Sequence, residues 1–171
     1  MKNTILIVDD EIGALTLIGI LLARGGFNVL KAADAKSALT TLDQSSPDLI
    51  ILDVMMPGTD GIELSSILRQ REDTHDTPIL ILSARGDADS VMRGLQAGAN
   101  DYLPKPILHH DLVTKVRDLL SEAANWRSTI HRKLAINQLI MASHIYFNNW
   151  ISARKDANPV FPIALRKKYI T

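Results

Sequence analysis

Three short runs of consecutive aliphatic residues constrain the fold of this chain more than any other feature. They are TILIV at Thr4–Val8, LIIL at 49–52 and ILIL at 79–82. A strand with one wet face alternates apolar and polar residues. A strand that is apolar at every position needs cover on both faces, as strands of a parallel sheet have between two layers of helices. Two weaker runs, FNVLKA at 27–32 and the brief stretch 101–103, complete a set of five.

Helical spacing fills the gaps between these runs. Leu15, Ile18 and Leu22 share one face, and Gly25-Gly26 is suited to a left-handed cap after them. Asp34 is placed to cap a second helix that turns Ala35, Ala38, Leu39 and Leu42 inward and stops at Ser45-Ser46-Pro47. Ile62, Leu64, Ile67 and Leu68 mark a third. Asp87 or Asp89 opens a fourth, Gly98 closes it, and Asp111 is expected to cap a fifth. Five strand–helix units within residues 1–125 predict an α/β fold, a doubly wound five-stranded parallel sheet with right-handed crossovers.

Ligands of such sheets bind beyond the carboxyl ends of the strands, so the residues found there carry the functional reading. The first strand ends in Asp9-Asp10-Glu11, the third in Asp53 and the fourth in Ser83, and the fifth leads to Lys105-Pro106. Crowded carboxylates raise one another's pKa unless a cation intervenes. A hard divalent ion with oxygen ligands, Mg2+ above all, relieves that repulsion, and the lysine adds a second positive charge. This set suits phosphoryl transfer to a carboxylate. Asp53 is the candidate nucleophile, ready at neutral pH without a base, while metal, lysine and the Ser83 hydroxyl meet the negative charge of the transferring group.

Four stretches carry a resemblance to a known family: ILIVDDE, PDLIILDVMMPGTDG, PILILSA and GANDYLPKP, in that order. Residues 1–122 resemble the receiver domain of two-component response regulators, of the chemotaxis-regulator kind. The resemblance implies a flavodoxin-like sheet with strand order 2-1-3-4-5 and a phosphorylation-dependent signalling switch. It implies that Asp53 accepts phosphate from a histidine kinase or phosphotransfer protein. Asp10, Asp53 and the backbone carbonyl of Met55 would ligate Mg2+, with Asp9 acting through water. It further implies that Lys105 contacts the phosphoryl group, that the Lys105–Pro106 bond is cis, and that Ser83 and Tyr102 form the switch pair. No catalysis is implied beyond Mg-dependent self-phosphorylation from a phosphodonor and autodephosphorylation.

Plainer roles exist for the same residues. Asp9, Asp10 and Glu11 suit a helix N-cap, Asp60 is better placed as a cap than as a ligand, and Tyr102 is equally a packing residue. His109 and His110 belong to the start of the last helix and are assigned no chemistry. An aspartate-nucleophile phosphatase of the haloacid-dehalogenase type is the alternative enzyme reading. Those enzymes usually place a second Asp two residues after the first, where this chain has Met55.

Charge and punctuation separate a second segment, 123–171. Residues 1–125 hold eleven Lys and Arg against eighteen Asp and Glu, whereas residues 126–171 hold eight against one. Neither Gly nor Pro occurs between Pro106 and Pro159, so the tail is expected to be mainly helical. Leu112, Val116, Leu119, Ala123, Trp126, Ile130, Lys133, Asn137, Ile140, His144, Phe147 and Ile151 follow heptad spacing, and nine of the twelve are apolar. Leu134, Ile136, Leu139, Met141, Tyr146 and Trp150 lie off that seam, so a break near Asn148-Asn149 and a folded-back hairpin compete with a straight stalk. Homodimerisation through the helix, docking of a downstream protein partner, and a link to an output region are the roles it suits. DNA binding by the tail, or by a part beyond it, rests on net charge alone: the only basic triplet is Arg166-Lys167-Lys168. The absence of cysteine removes disulfides and Cys-based metal sites. With no signal-like N-terminus and no long apolar stretch, a cytoplasmic protein without membrane contact is expected.

Overall fold

In a computed structural model of the chain, the backbone is described for residues 2–154 and the side chains for residues 2–130, Ala135 and Gln138. Five strands, β1 (Thr4–Val8), β2 (Asn28–Ala32), β3 (Leu49–Asp53), β4 (Ile79–Ser83) and β5 (Asp101–Pro104), alternate with five helices. These are α1 (Ile12–Arg24), α2 (Ala35–Leu42), α3 (Gly61–Gln70), α4 (Ala88–Gln96) and α5 (His109–Arg154). The strands form one parallel sheet in the order β2-β1-β3-β4-β5, the doubly wound arrangement read from the sequence.

The three apolar runs are explained by two separate cores. Leu6, Val8, Ile50, Leu52, Ile79 and Ile81 face Ala38, Leu42, Leu64 and Leu68 from α2 and α3. The alternate residues, Ile5, Ile7, Leu49, Ile51, Leu80 and Leu82, face Leu15, Ile18 and Leu22 of α1 and Leu112, Val116 and Leu119 of α5. None of the twelve strand residues is more than 1% exposed. Full burial of each is worth roughly 2 kcal/mol of transfer free energy. A polar residue at any of these positions would leave an unpaired group between two dry layers.

Local signals hold at several boundaries. Asp34 and Ser37 form a reciprocal capping box, with Ser37 N donating to Asp34 Oδ1 at 2.6 Å and Asp34 N donating to Ser37 Oγ at 3.2 Å. Asp60 and Asp87 cap α3 and α4 by accepting from Glu63 N and Ser90 N. Gly26 and Gly98 both stand at φ +95°, the left-handed conformation that ends α1 and α4. Glu11 is the N-cap of α1, one of the three acids suited to that place, although its side chain makes no cap bond, and Asp9 bonds Lys105 instead. One expectation is corrected. Helix α5 starts at His109, so Asp111 lies inside its first turn, where its charge suits the helix dipole instead of capping it.

Helix α5 runs through Asn148-Asn149 to Arg154 without a break, so the hairpin expectation fails on the backbone. Its first three heptad positions, Leu112, Val116 and Leu119, are core residues and are withdrawn from any partner. The chain divides into two compact units, 1–126 and 127–171. The Arg166-Lys167-Lys168 triplet and the last six heptad side chains, Lys133 to Ile151, lie outside the described residues. No helix among the described residues is long and apolar enough to cross a membrane.

Candidate functional site

Adjacent strands create the site. Parallel pairing of β1 with β3 sets Val8 beside Leu52, so the next residues, Asp9 and Asp53, emerge together at the carboxyl edge. Both are buried, at 2% and 5% exposure, while Asp10 is exposed. One carboxylate oxygen from each of the three lies within 4.8 Å of the others. Lys105, just after β5, places Nζ between two of them and donates to Asp9 Oδ2 at 2.7 Å and to Asp53 Oδ1 at 2.9 Å. Its backbone is fixed by a bond from Lys105 N to the Ser83 carbonyl at 2.7 Å, and the Lys105–Pro106 peptide is cis.

The second oxygen of each buried carboxylate is also satisfied. Asp53 Oδ2 accepts from Met55 N at 2.7 Å, and Asp9 Oδ1 accepts from Glu11 N at 2.9 Å. Such bonds make the placement of two buried anions tolerable. Burial of the Lys105 ammonium works against its charge. The bonds to Asp9 and Asp53 and their negative charge outweigh that cost, and its pKa is raised above the ordinary lysine value.

Ser83 is fully buried, and its Oγ accepts from Arg85 N at 3.1 Å. That use of a lone pair leaves its O–H free to donate. Tyr102 is 6% exposed and donates its phenol O–H to the Arg85 carbonyl at 2.6 Å. Both polar atoms of the Arg85 backbone are thus held, one by each expected switch residue. An open cleft of about 420 Å3 adjoins Asp10, lined by Met55, Asp60, Arg85 and Arg93 among others.

One further residue supports Asp53 and escaped the sequence reading. A Cβ on Gly61 would overlap the Asp53 carbonyl, so the start of α3 approaches the acidic strand end at a distance only glycine permits. The only sequence signal for it is the second glycine of PGTDG.

The donor set fits a hard divalent cation. It is all carboxylate oxygen, two members are buried, the third faces solvent, and one lysine cannot balance three negative charges. Carboxylates converging with a lysine on the carboxyl edge of a doubly wound sheet define a phosphoacceptor switch. The model of the response regulator receiver domain matches residues 5–117. The phosphate regulon transcriptional regulatory protein PhoB of Pseudomonas aeruginosa is 42% identical over 118 residues, covering 69% of this chain and 52% of that protein. The transcriptional regulatory protein CpxR of Escherichia coli is 47% identical over 118 residues, covering 69% and 49%. A putative response regulator from Chloroflexus aurantiacus superposes with a TM-score of 0.68 at 39% identity, covering 71% of this chain and 99% of that one. This chain belongs to the response regulator receiver family.

The Asp9, Asp10 and Asp53 cluster is accordingly a Mg2+-dependent phosphotransfer site, and the domain is a phosphorylation switch with the family's self-phosphorylation and dephosphorylation. Met55 at the position of the phosphatase's second Asp agrees with this family and leaves the dehalogenase-type reading without its proton-transfer group. The chain spans about half the length of the curated relatives it matches.

Proposed function

We propose that Asp53 is the phosphoacceptor of a two-component signalling switch, supplied by a histidine kinase or phosphotransfer protein. The observation that carries this reading is the pair of hydrogen-bonded ion pairs from Lys105 to Asp9 and Asp53. The ammonium sits between the two carboxylates and fixes the orientation of Asp53. An Asp53 oxygen attacks phosphorus, the P–N bond to the donor imidazole breaks, and its electron pair stays on the ring nitrogen. No proton need leave Asp53 first. Asp10, Asp53 and the Met55 carbonyl would hold Mg2+, with Asp9 acting through water. When bound, the ion neutralises charge on the phosphoryl oxygens. Lys105 turns to one phosphoryl oxygen, and the Ser83 hydroxyl donates to another. Ser83 and Tyr102 report the event to the surface of α4, β5 and α5 by shifting a two-state equilibrium.

Residues 1–122 serve as the receiver, and 123–171 as a helical tail for self-association or for docking a downstream protein. A second reading has one observation in its favour: both curated relatives are transcriptional regulatory proteins about twice the aligned length. In that reading this chain governs DNA binding through its tail or a further segment, and salt-dependent binding to duplex DNA would support it.

Incubation with acetyl phosphate and Mg2+, followed by mass mapping, tests the acceptor. Asp53→Asn abolishes the added mass, and undiminished labelling of that variant refutes the assignment. Asp10→Ala and EDTA each lower the labelling rate by at least tenfold. Asp10→Ala also weakens Mg2+ binding measured by calorimetry, which separates metal loss from misfolding.

A further inference from the structure

We infer that Gly94 is a positioning residue for Tyr102. This rests on the reading of Ser83 and Tyr102 as reporters of the phosphoryl group. Gly94 is buried on the face of α4 that meets β4 and β5. A Cβ there would lie 2.9 Å from Ile81 Cδ1, 3.0 Å from Tyr102 Cδ2 and 3.3 Å from Tyr102 Cε2. Gly94 is not among the glycines at positive φ, so its backbone accepts any L-residue. A glycine weakens a helix interior relative to alanine, and here it frees the space that the Tyr102 ring fills.

The consequence runs through contacts already described. With the ring inward, Tyr102 O–H reaches the Arg85 carbonyl at 2.6 Å, and Arg85 N reaches Ser83 Oγ at 3.1 Å. Helix α4, the loop before it and the phosphoryl-facing serine are thereby joined by way of one ring. An added methyl at position 94 must displace something. Ile81 is wholly buried on β4, between β3 and β5, where close packing resists movement. Tyr102 stands on the edge strand β5 and is 6% exposed, so solvent lies nearer to its ring than to Ile81. The ring yields, its bond to Arg85 breaks, and the loop loses one of its two anchors. Gly94 thus sets the inward–outward balance of Tyr102 without touching the acidic site.

The full chain serves for the test, as Gly94→Ala in the native and in the Tyr102→Ala background. In the unphosphorylated protein, nuclear Overhauser contacts between the Tyr102 ring and the Ile81 δ-methyl are present natively and lost in Gly94→Ala. Affinity for beryllofluoride with Mg2+, a phosphoryl mimic, falls roughly fivefold in Gly94→Ala, the low end of ordinary coupling between sites. The same substitution has no further effect once Tyr102→Ala has removed the ring. Persistent ring contacts in Gly94→Ala overturn the inference. So does an equal loss of affinity or of folding in both backgrounds, which would place the clash at Ile81. Failure of the native chain to respond to beryllofluoride would refute the switch reading, and the ring contacts would still decide the role of Gly94.

Discussion

Lys105 offers the sharpest prediction at the scale of a single residue. Its pKa is raised in the folded chain, against burial, by Asp9 and Asp53. A raised lysine pKa contributes stability that is fully present below the unfolded value, the ordinary lysine pKa of 10.5, and is lost as pH rises through the folded pKa. Without metal, urea denaturation should therefore show native stability falling above pH 10.5 by more than in Lys105→Met. The variant should already be weaker at pH 8, because Asp9 and Asp53 then face each other unpaired. Parallel pH profiles for the two proteins would contradict this. The acidic residues were legible in the sequence because each follows an aliphatic run at a strand end. Gly61 and Gly94 were not. Their importance lies in how closely a second segment approaches them, and spacing along one segment carries no record of that distance.

Elements read from periodicity were those with two dry faces or a strong cap. Strands β1, β3 and β4 declared themselves by composition, and α2 by Asp34. The start of α5 was misread because Asp111 looked like a cap, while packing of Leu112 against α1 and the sheet begins the helix earlier. The join between α3, α4 and β5 was invisible for another reason: much of it runs through one arginine. Arg69, its pKa lowered by burial, donates to the carbonyls of Gly98 at 2.8 Å and Thr77 at 2.7 Å and to Asn100 Oδ1 at 2.7 Å. Asn100 Oδ1 accepts from Ile79 N as well. Arg69→Met should cost about 2–3 kcal/mol in urea denaturation, since the carbonyls it serves lose their donor. Phosphorylation of the folded fraction should be unchanged, because no bond of Arg69 enters the acidic site. A loss below 0.5 kcal/mol, the ordinary range of surface substitutions, would show that water replaces it.

For the whole molecule, the question is what the second unit adds. Trp126 is 61% exposed at the end of the first unit, and the sequence that follows keeps apolar residues at heptad spacing from Ile130 to Ile151. Because Leu112, Val116 and Leu119 are used by the receiver core, a symmetric pairing seam would begin no earlier than Ala123. Light scattering of the full chain should give a dimer, and a truncation after Glu122 a monomer. Two monomers at high concentration would leave partner docking as the role of the tail. Charge asymmetry points to a second segment in the sequence; the choice of partner is not readable there, because a heptad pattern with apolar residues off its seam fits several.

The lysine bridge has one more consequence, for the life of the chain before it is finished. Residues 96 and 52 positions apart in sequence meet at Nζ of Lys105, which crosses the end of β4 from the last strand to reach β3 and β1. Ribosomes deliver β1 and β3 long before that lysine emerges. Until β5 docks, Asp9 and Asp53 lack the lysine that pairs with them, and a degraded fragment ending before β5 is in the same position. The proposed acceptor therefore gains its full set of partners only in a polypeptide whose final strand is in place.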